Sequence, residues 1–238
     1  MVRFKERIIW YREILEKNKI FLDIILTGFV IYLAFSANKI SEQQTNIAYL
    51  EKSPSFYINV QTSYSKSDSG KVILEKELQF MNVSGEYENF SESTICLLKL
   101  EYQKDFGNPI EKYIYVNGYY VSNFSTGNKT GHIVSLKGYA NETRLIKLEK
   151  TLREINDSIS SGYLLFDFKT FTQISYLDQL GKKVYKYYNT SRREGILMEK
   201  EKGRMLFDDY YESIKKGELV ELDEINKAFI LKALGLEK

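Results

Sequence analysis

Residues Ile20 to Ala37, IFLDIILTGFVIYLAFSA, are apolar on every side of a helical wheel. At about 1.5 Å per residue they make a helix of about 27 Å, close to the roughly 30 Å of a bilayer's hydrocarbon. Asp23 is the only charge in the run. It lies one turn inside the start, where its carboxylate reaches the headgroups. The pattern predicts a membrane-spanning helix over 20–37, an uncleaved anchor. The competing reading is a cleaved signal peptide, for which Ala34-Phe35-Ser36 would serve as a small-x-small site. The nineteen-residue leader and the long apolar run disfavour it.

In the leader, 1–19, Phe4, Ile8, Tyr11 and Leu15 fall at helical spacing with cations on the other face. That is the pattern of a helix lying on a lipid surface, or simply of a charged topology signal. After the anchor, 38–53 reads as a polar helical stalk carrying Ile40, Ile47 and Leu50, ended by Pro54.

From Phe56 the period shifts toward two. Strands are predicted near Phe56–Ser63, Val72–Asn82, Thr94–Gln103, Tyr113–Val121, His132–Tyr139, Tyr163–Tyr176 and Lys183–Tyr188. Turn clusters at Ser65–Gly70, Ser84-Gly85, Asp105–Pro109, Asn123–Gly131 and Gln179–Lys182 separate them. Leu145, Leu148, Leu152, Ile155 and Ile159 instead follow a 3-4-3-4 spacing that predicts one amphipathic helix. Met198–Lys215 and Leu222–Leu234 return to helical spacing, with Gly235 as a C-terminal cap. The expected fold is an all-β sandwich-like extramembrane domain over 54–191, with an N-terminal transmembrane helix and a helical C-terminal tail over 192–238.

Charge orients the chain. Arg3, Lys5, Arg7, Arg12, Lys17 and Lys19 precede the anchor, whereas only Lys39 and Lys52 stand in the twenty residues or so after it. The positive-inside bias therefore places the N-terminus in the cytoplasm and the C-terminal domain outside. Net charge is +2, which gives no reason to expect a nucleic acid or a strongly acidic substrate. Seven asparagines, Asn82, Asn89, Asn123, Asn128, Asn141, Asn156 and Asn189, stand two residues before Ser or Thr with no Pro between. They read either as glycan acceptors on an outside domain or as polar turns.

Chemistry-bearing residues are few. Cys96 is the only cysteine, which rules out an internal disulfide and a cysteine metal cluster. His132 is the only histidine, with no nucleophile-elbow motif to accompany a triad and too few partners for zinc. Asp167, Asp178 and Asp208-Asp209 are conspicuous acids, read as solvated unless two of them face one bond. Tyr113, Tyr115, Tyr119, Tyr120, Tyr185, Tyr187 and Tyr188 would serve as strand packing or as an aromatic platform. No phosphate-binding glycine loop is present. No catalytic, cofactor-binding or metal residue is assigned.

Two places carry a resemblance. Ser36-Ala37-Asn38-Lys39-Ile40, running through Glu42-Gln43-Gln44 to Pro54-Ser55-Phe56, resembles the junction in uncharacterised prokaryotic single-pass membrane proteins. There an N-terminal hydrophobic helix leads through a Gln/Asn-rich stretch to a "P-x-F" strand start. Ile174-Ser175-Tyr176-Leu177-Asp178 with Gly181 is similar to their "I-x-Y-x-D-x-x-G" hairpin. The resemblance implies an architecture and no activity. The expected role is a non-enzymatic β-rich domain held on the lipid bilayer, binding a protein or a surface. The alternatives are a membrane-anchored hydrolase using tail carboxylates, or a cytoplasmic-facing accessory subunit of a membrane complex. Oligomeric state is left open by the residues alone.

Overall fold

The computed structural model describes residues 2–66, 72–104, 107–139, 141–159 and 161–236. The turn expected at Ser65–Gly70 falls largely outside them, as do Asp105 and Phe106 of the next turn cluster. The chain divides into two compact units, Met1–Lys52 and Ser53–Lys238.

The first unit is helical. Helix α1 (Val2–Lys17) is parted from α2 (Lys19–Lys52) by a turn at Asn18, whose side-chain amide donates to the Ile14 carbonyl at 2.9 Å. The stripe's Phe4 and Leu15 lie outside the residues whose side chains are described. Helix α2 is long and apolar enough near its start to cross a membrane. It does not stop at Ala37. Its 34 residues, about 51 Å at 1.5 Å each, carry the expected span and stalk as one uninterrupted rod.

The second unit is built on two sheets. Strands β1 (Ser55–Lys66), β2 (Val72–Ser84), β5 (Ser122–Ser125) and β6 (Gly131–Lys137) form a four-stranded sheet in the order β1-β2-β6-β5. Strands β3 (Glu88–Gln103), β4 (Ile110–Asn117), β7 (Tyr163–Leu177), β8 (Lys183–Asn189), β9 (Ile196–Leu197) and β10 (Val220–Glu221) form a six-stranded sheet in the order β10-β4-β3-β7-β8-β9. All neighbours are antiparallel except β10, which joins β4 in parallel. Helices α3 (Asn141–Ser158), α4 (Lys200–Lys216) and α5 (Lys227–Ala233) complete the unit.

Strand alternation decides what each face meets. On one face of the large sheet, Ile174, Tyr176 and Tyr188 pack on Phe56, Ile58, Leu78 and Phe80 of the small sheet, with Phe56 and Tyr176 ring centres 5.2 Å apart. Farther along the same strands, Leu98, Leu100 and Leu164 meet Leu145, Leu148, Leu152 and Ile155 of α3. The amphipathic helix expected from Leu145 to Ile159 is thus present, and its apolar stripe is the buried one. Ile159 follows just after its end.

The segment 192–238 is woven into the fold. Leu222, Ile225, Ile230 and Leu234 fill the same core as α3, and Ile230 is wholly buried. The helix expected over Leu222–Leu234 is broken. A short 3-10 turn, Leu222–Glu224, precedes α5, because the Asn226 side chain accepts from the Phe229 N–H and starts the helix afresh. Gly235 ends α5 at φ +66°, its N–H bonding to the Lys232 carbonyl.

Candidate functional site

The opposite face of the large sheet carries a single helix. Phe207 of α4 is buried against Ile95, Leu97, Phe171 and Tyr187, while Tyr210 meets Tyr115 of β4 with ring centres 5.4 Å apart. One turn before Phe207 stands Gly203, directly on the Tyr187 ring. A Cβ there would lie 2.2 Å from Tyr187 Cγ, so only glycine lets the helix backbone come so close. Helix α4 covers part of this face and leaves the rest open.

Beside the helix runs a trough of about 490 Å³, within the range of ligand sites. Strand register assembles its floor: Ser91 lies across from Ser175, Ser93 from Gln173, Gln173 from Tyr187 and Ser175 from Tyr185. Its wall is one stripe of α4, Lys200, Arg204, Asp208 and Tyr211, at spacings of four, four and three. Lys183 stands at the end of β8, its ammonium 5.3 Å from the Tyr185 ring centre. Gln173 Nε2 donates to the Tyr187 hydroxyl at 3.2 Å. Tyr185 and Tyr211 are 36 % and 41 % exposed, and the Tyr211 ring packs at its inner side on Phe207 and Tyr210.

Three cations, Lys183, Lys200 and Arg204, and two acids, Glu92 and Asp208, thus border the trough. Arg204 bonds Glu201 at 3.0 Å, outside the trough. Among the described residues neither Lys183 nor Lys200 has a carboxylate within 4.0 Å. Glu92 borders the trough, but in register it lies opposite Ile174, and its carboxylate accepts from the Asn123 amide of β5 on the other face. Burial pushes that carboxyl above its usual range. The two carboxyl groups a hydrolase would aim at one bond are therefore not brought together here. Asp208 faces the trough alone, while Asp209 turns toward Tyr115 and raises its hydroxyl's pKa after burial has done so.

The remaining residues singled out by sequence are dispersed. Asp178 caps its hairpin, its Oδ1 accepting from the Leu180 and Lys182 N–H groups at 2.9 and 2.8 Å. Asp167 pairs with Lys169 at 3.0 Å. His132 Nε2 lies 2.8 Å from Ser135 Oγ, but Ser135 is 2 % exposed and cannot present that oxygen to a substrate. Among the described residues no three His, Cys, Asp or Glu side chains gather to hold a metal ion. The tyrosines do not form one platform. Tyr119 is buried and hydrogen-bonds Glu142, Tyr188 lies between the sheets with its hydroxyl pushed up to about 12 by burial, and Tyr185 and Tyr187 line the trough.

The Asn-x-Ser/Thr set separates by burial. Asn82 and Asn141 are 1 % and 4 % exposed. Asn82 Nδ2 donates to the Gly85 and Lys129 carbonyls, both at 2.9 Å, and Asn141 Nδ2 to those of Gly118 and Tyr119 at 3.1 and 2.6 Å. Asn156 exchanges two hydrogen bonds with the Leu164 backbone. Three of the seven are thus structural, whereas Asn89, Asn123 and Asn128 are exposed.

No protein-family model, curated protein or solved structure matches the chain.

Proposed function

We propose that the chain is a single-pass membrane protein whose β-rich domain, held outside the membrane, captures an anionic carbohydrate chain in the trough beside α4. The observation that carries this reading is the meeting of Lys183, Lys200 and Arg204 with the partly exposed Tyr185 and Tyr211 and a floor of hydroxyl and amide groups. Ammonium and guanidinium groups suit carboxylate or phosphate substituents, hydroxyls and amides suit sugar oxygens, and tyrosine faces suit sugar rings. The cations before α2 and their scarcity after it support the outside placement, and digestion of the domain by protease added to intact cells tests that part.

Binding is tested on the full chain in detergent by calorimetric titration with oligogalacturonate. Saturable binding should weaken as salt rises and weaken about tenfold or more in the Lys200→Ala/Arg204→Ala double variant. A neutral oligosaccharide of equal length should bind more weakly. Absence of binding, binding indifferent to the double variant, or preference for a phosphopeptide over the acidic oligosaccharide overturns the reading.

A further inference from the structure

Helix α2 is continuous from Lys19 to Lys52, so one heptad register can be followed along it from lipid into water. Leu26, Leu33, Ile40 and Ile47 recur at intervals of seven. The positions three residues after each are Phe29, Ser36, Gln43 and Leu50, which completes an a/d seam over four heptads. The seam is uncovered within the chain: Leu33, Ile40, Ile47 and Leu50 are 49, 54, 56 and 70 % exposed. Lipid covers the first half of such a seam but not Ile40, Ile47 and Leu50, which lie beyond the apolar run. A helical stalk of that length, with apolar side chains facing water, is marginal alone.

We propose that α2 pairs with the α2 of a second copy, parallel and in register, through the seam set by Leu26, Leu33, Ile40 and Ile47. This rests on α2 being retained as a membrane helix and not on the trough. Four features select a second copy over another occupant. Copies inserted in one membrane with the same orientation are parallel by construction, so equivalent heptads face each other. Gln43 sits at a d position, and a carboxamide, both donor and acceptor, is matched by its own duplicate at the same level. Isoleucine at a with leucine at d, as at Ile47 and Leu50, favours two strands over three or four. The flanking positions oppose no like charges: Lys39 would face Gln44 of the second copy, and Asn46 would face Glu51.

The test is disulfide trapping of the full chain in its membrane. Single Ile40→Cys and Ile47→Cys variants place thiols in the seam, and Asn38→Cys and Thr45→Cys place them on the far side. Wild type, whose Cys96 is buried, serves as the blank. On mild oxidation the seam variants should form covalent dimers at least five times more completely than the far-side variants. Equal trapping around the helix or no trapping at any position overturns the pairing. Fractionation keeps the two failures distinct. A shortened chain in the soluble fraction would remove the membrane helix itself, whereas a full-length, membrane-bound chain without seam-specific trapping removes only the dimer.

Discussion

Gly203→Ala tests the seating of α4, on which the trough depends. Alanine in a helix interior is worth about 1 kcal/mol over glycine, so on propensity alone the substitution would stabilise. Packing opposes it. The new methyl would stand 2.2 Å from Tyr187 Cγ and 2.4 Å from its Cβ, where ordinary contact begins at 3.4 Å. The ring cannot swing clear, because Tyr187 is 5 % exposed and held between Gly203 and Phe207. Relief requires α4 to lift by about 1 Å, an overpacking strain of about 1–3 kcal/mol. Lifting also uncovers part of Phe207, whose full burial is worth about 1.5–3 kcal/mol. The net expectation is a loss of about 1–4 kcal/mol, or about 2–15 °C in Tm for a domain of this size. Thermal unfolding is followed by far-UV circular dichroism of the full chain, because the only tryptophan, Trp10, lies in α1 and so belongs to the other unit. Gly107→Ala, with open space around its site, should be near neutral. Tyr187→Ala combined with Gly203→Ala should cost at least about 1 kcal/mol less than the two single losses added together. A Gly203→Ala protein as stable as wild type would refute the close seating of the helix on Tyr187.

Two further outcomes follow from buried groups. Burial pushes the Cys96 thiol far above its ordinary value, so native protein should resist alkylation by iodoacetamide at pH 8 and react only on denaturation; rapid native labelling would contradict that environment. Asn141→Ala strips the Gly118 and Tyr119 carbonyls of their shared donor and should cost about 2–3 kcal/mol in denaturant unfolding. A loss below about 0.5 kcal/mol would show those carbonyls to be solvated instead.

Elements with a long, strong period were legible in the sequence. The 3-4-3-4 leucines of α3 and the long strands announce the face they bury, because one side of each is core, whereas the run of α2 was legible because it is apolar all round. Strand β5 lay inside a predicted turn cluster, since an edge strand of Ser122, Asn123, Phe124 and Ser125 buries nothing and shows no alternation. Strands β9 and β10, two residues each, are too short for any period to register. The charged C-terminal segment read as two helices packing on the sandwich or on a partner, and its five buried apolar residues, Phe207, Leu222, Ile225, Ile230 and Leu234, are spread among charges that hide which side is core. The trough escaped notice for a related reason. Ser91, Ser93, Gln173 and Ser175 look like the ordinary wet side of two strands, and only the pairing of β3 with β7 and β8 puts them under one stripe of α4. The usable signal was that stripe, Lys200, Arg204, Asp208 and Tyr211, on a helix whose other side is apolar.

The lodging of Ile230 and Leu234 in the core shared by β3, β4 and α3 has a consequence for biogenesis. The core cannot close until α5 has left the ribosome, because β10 and α5 supply one wall of it. At roughly 5–20 residues per second, strands made early wait on the order of ten seconds for that wall. Nonsense codons upstream of Ile230 would accordingly yield an unfinished product, open to proteolysis.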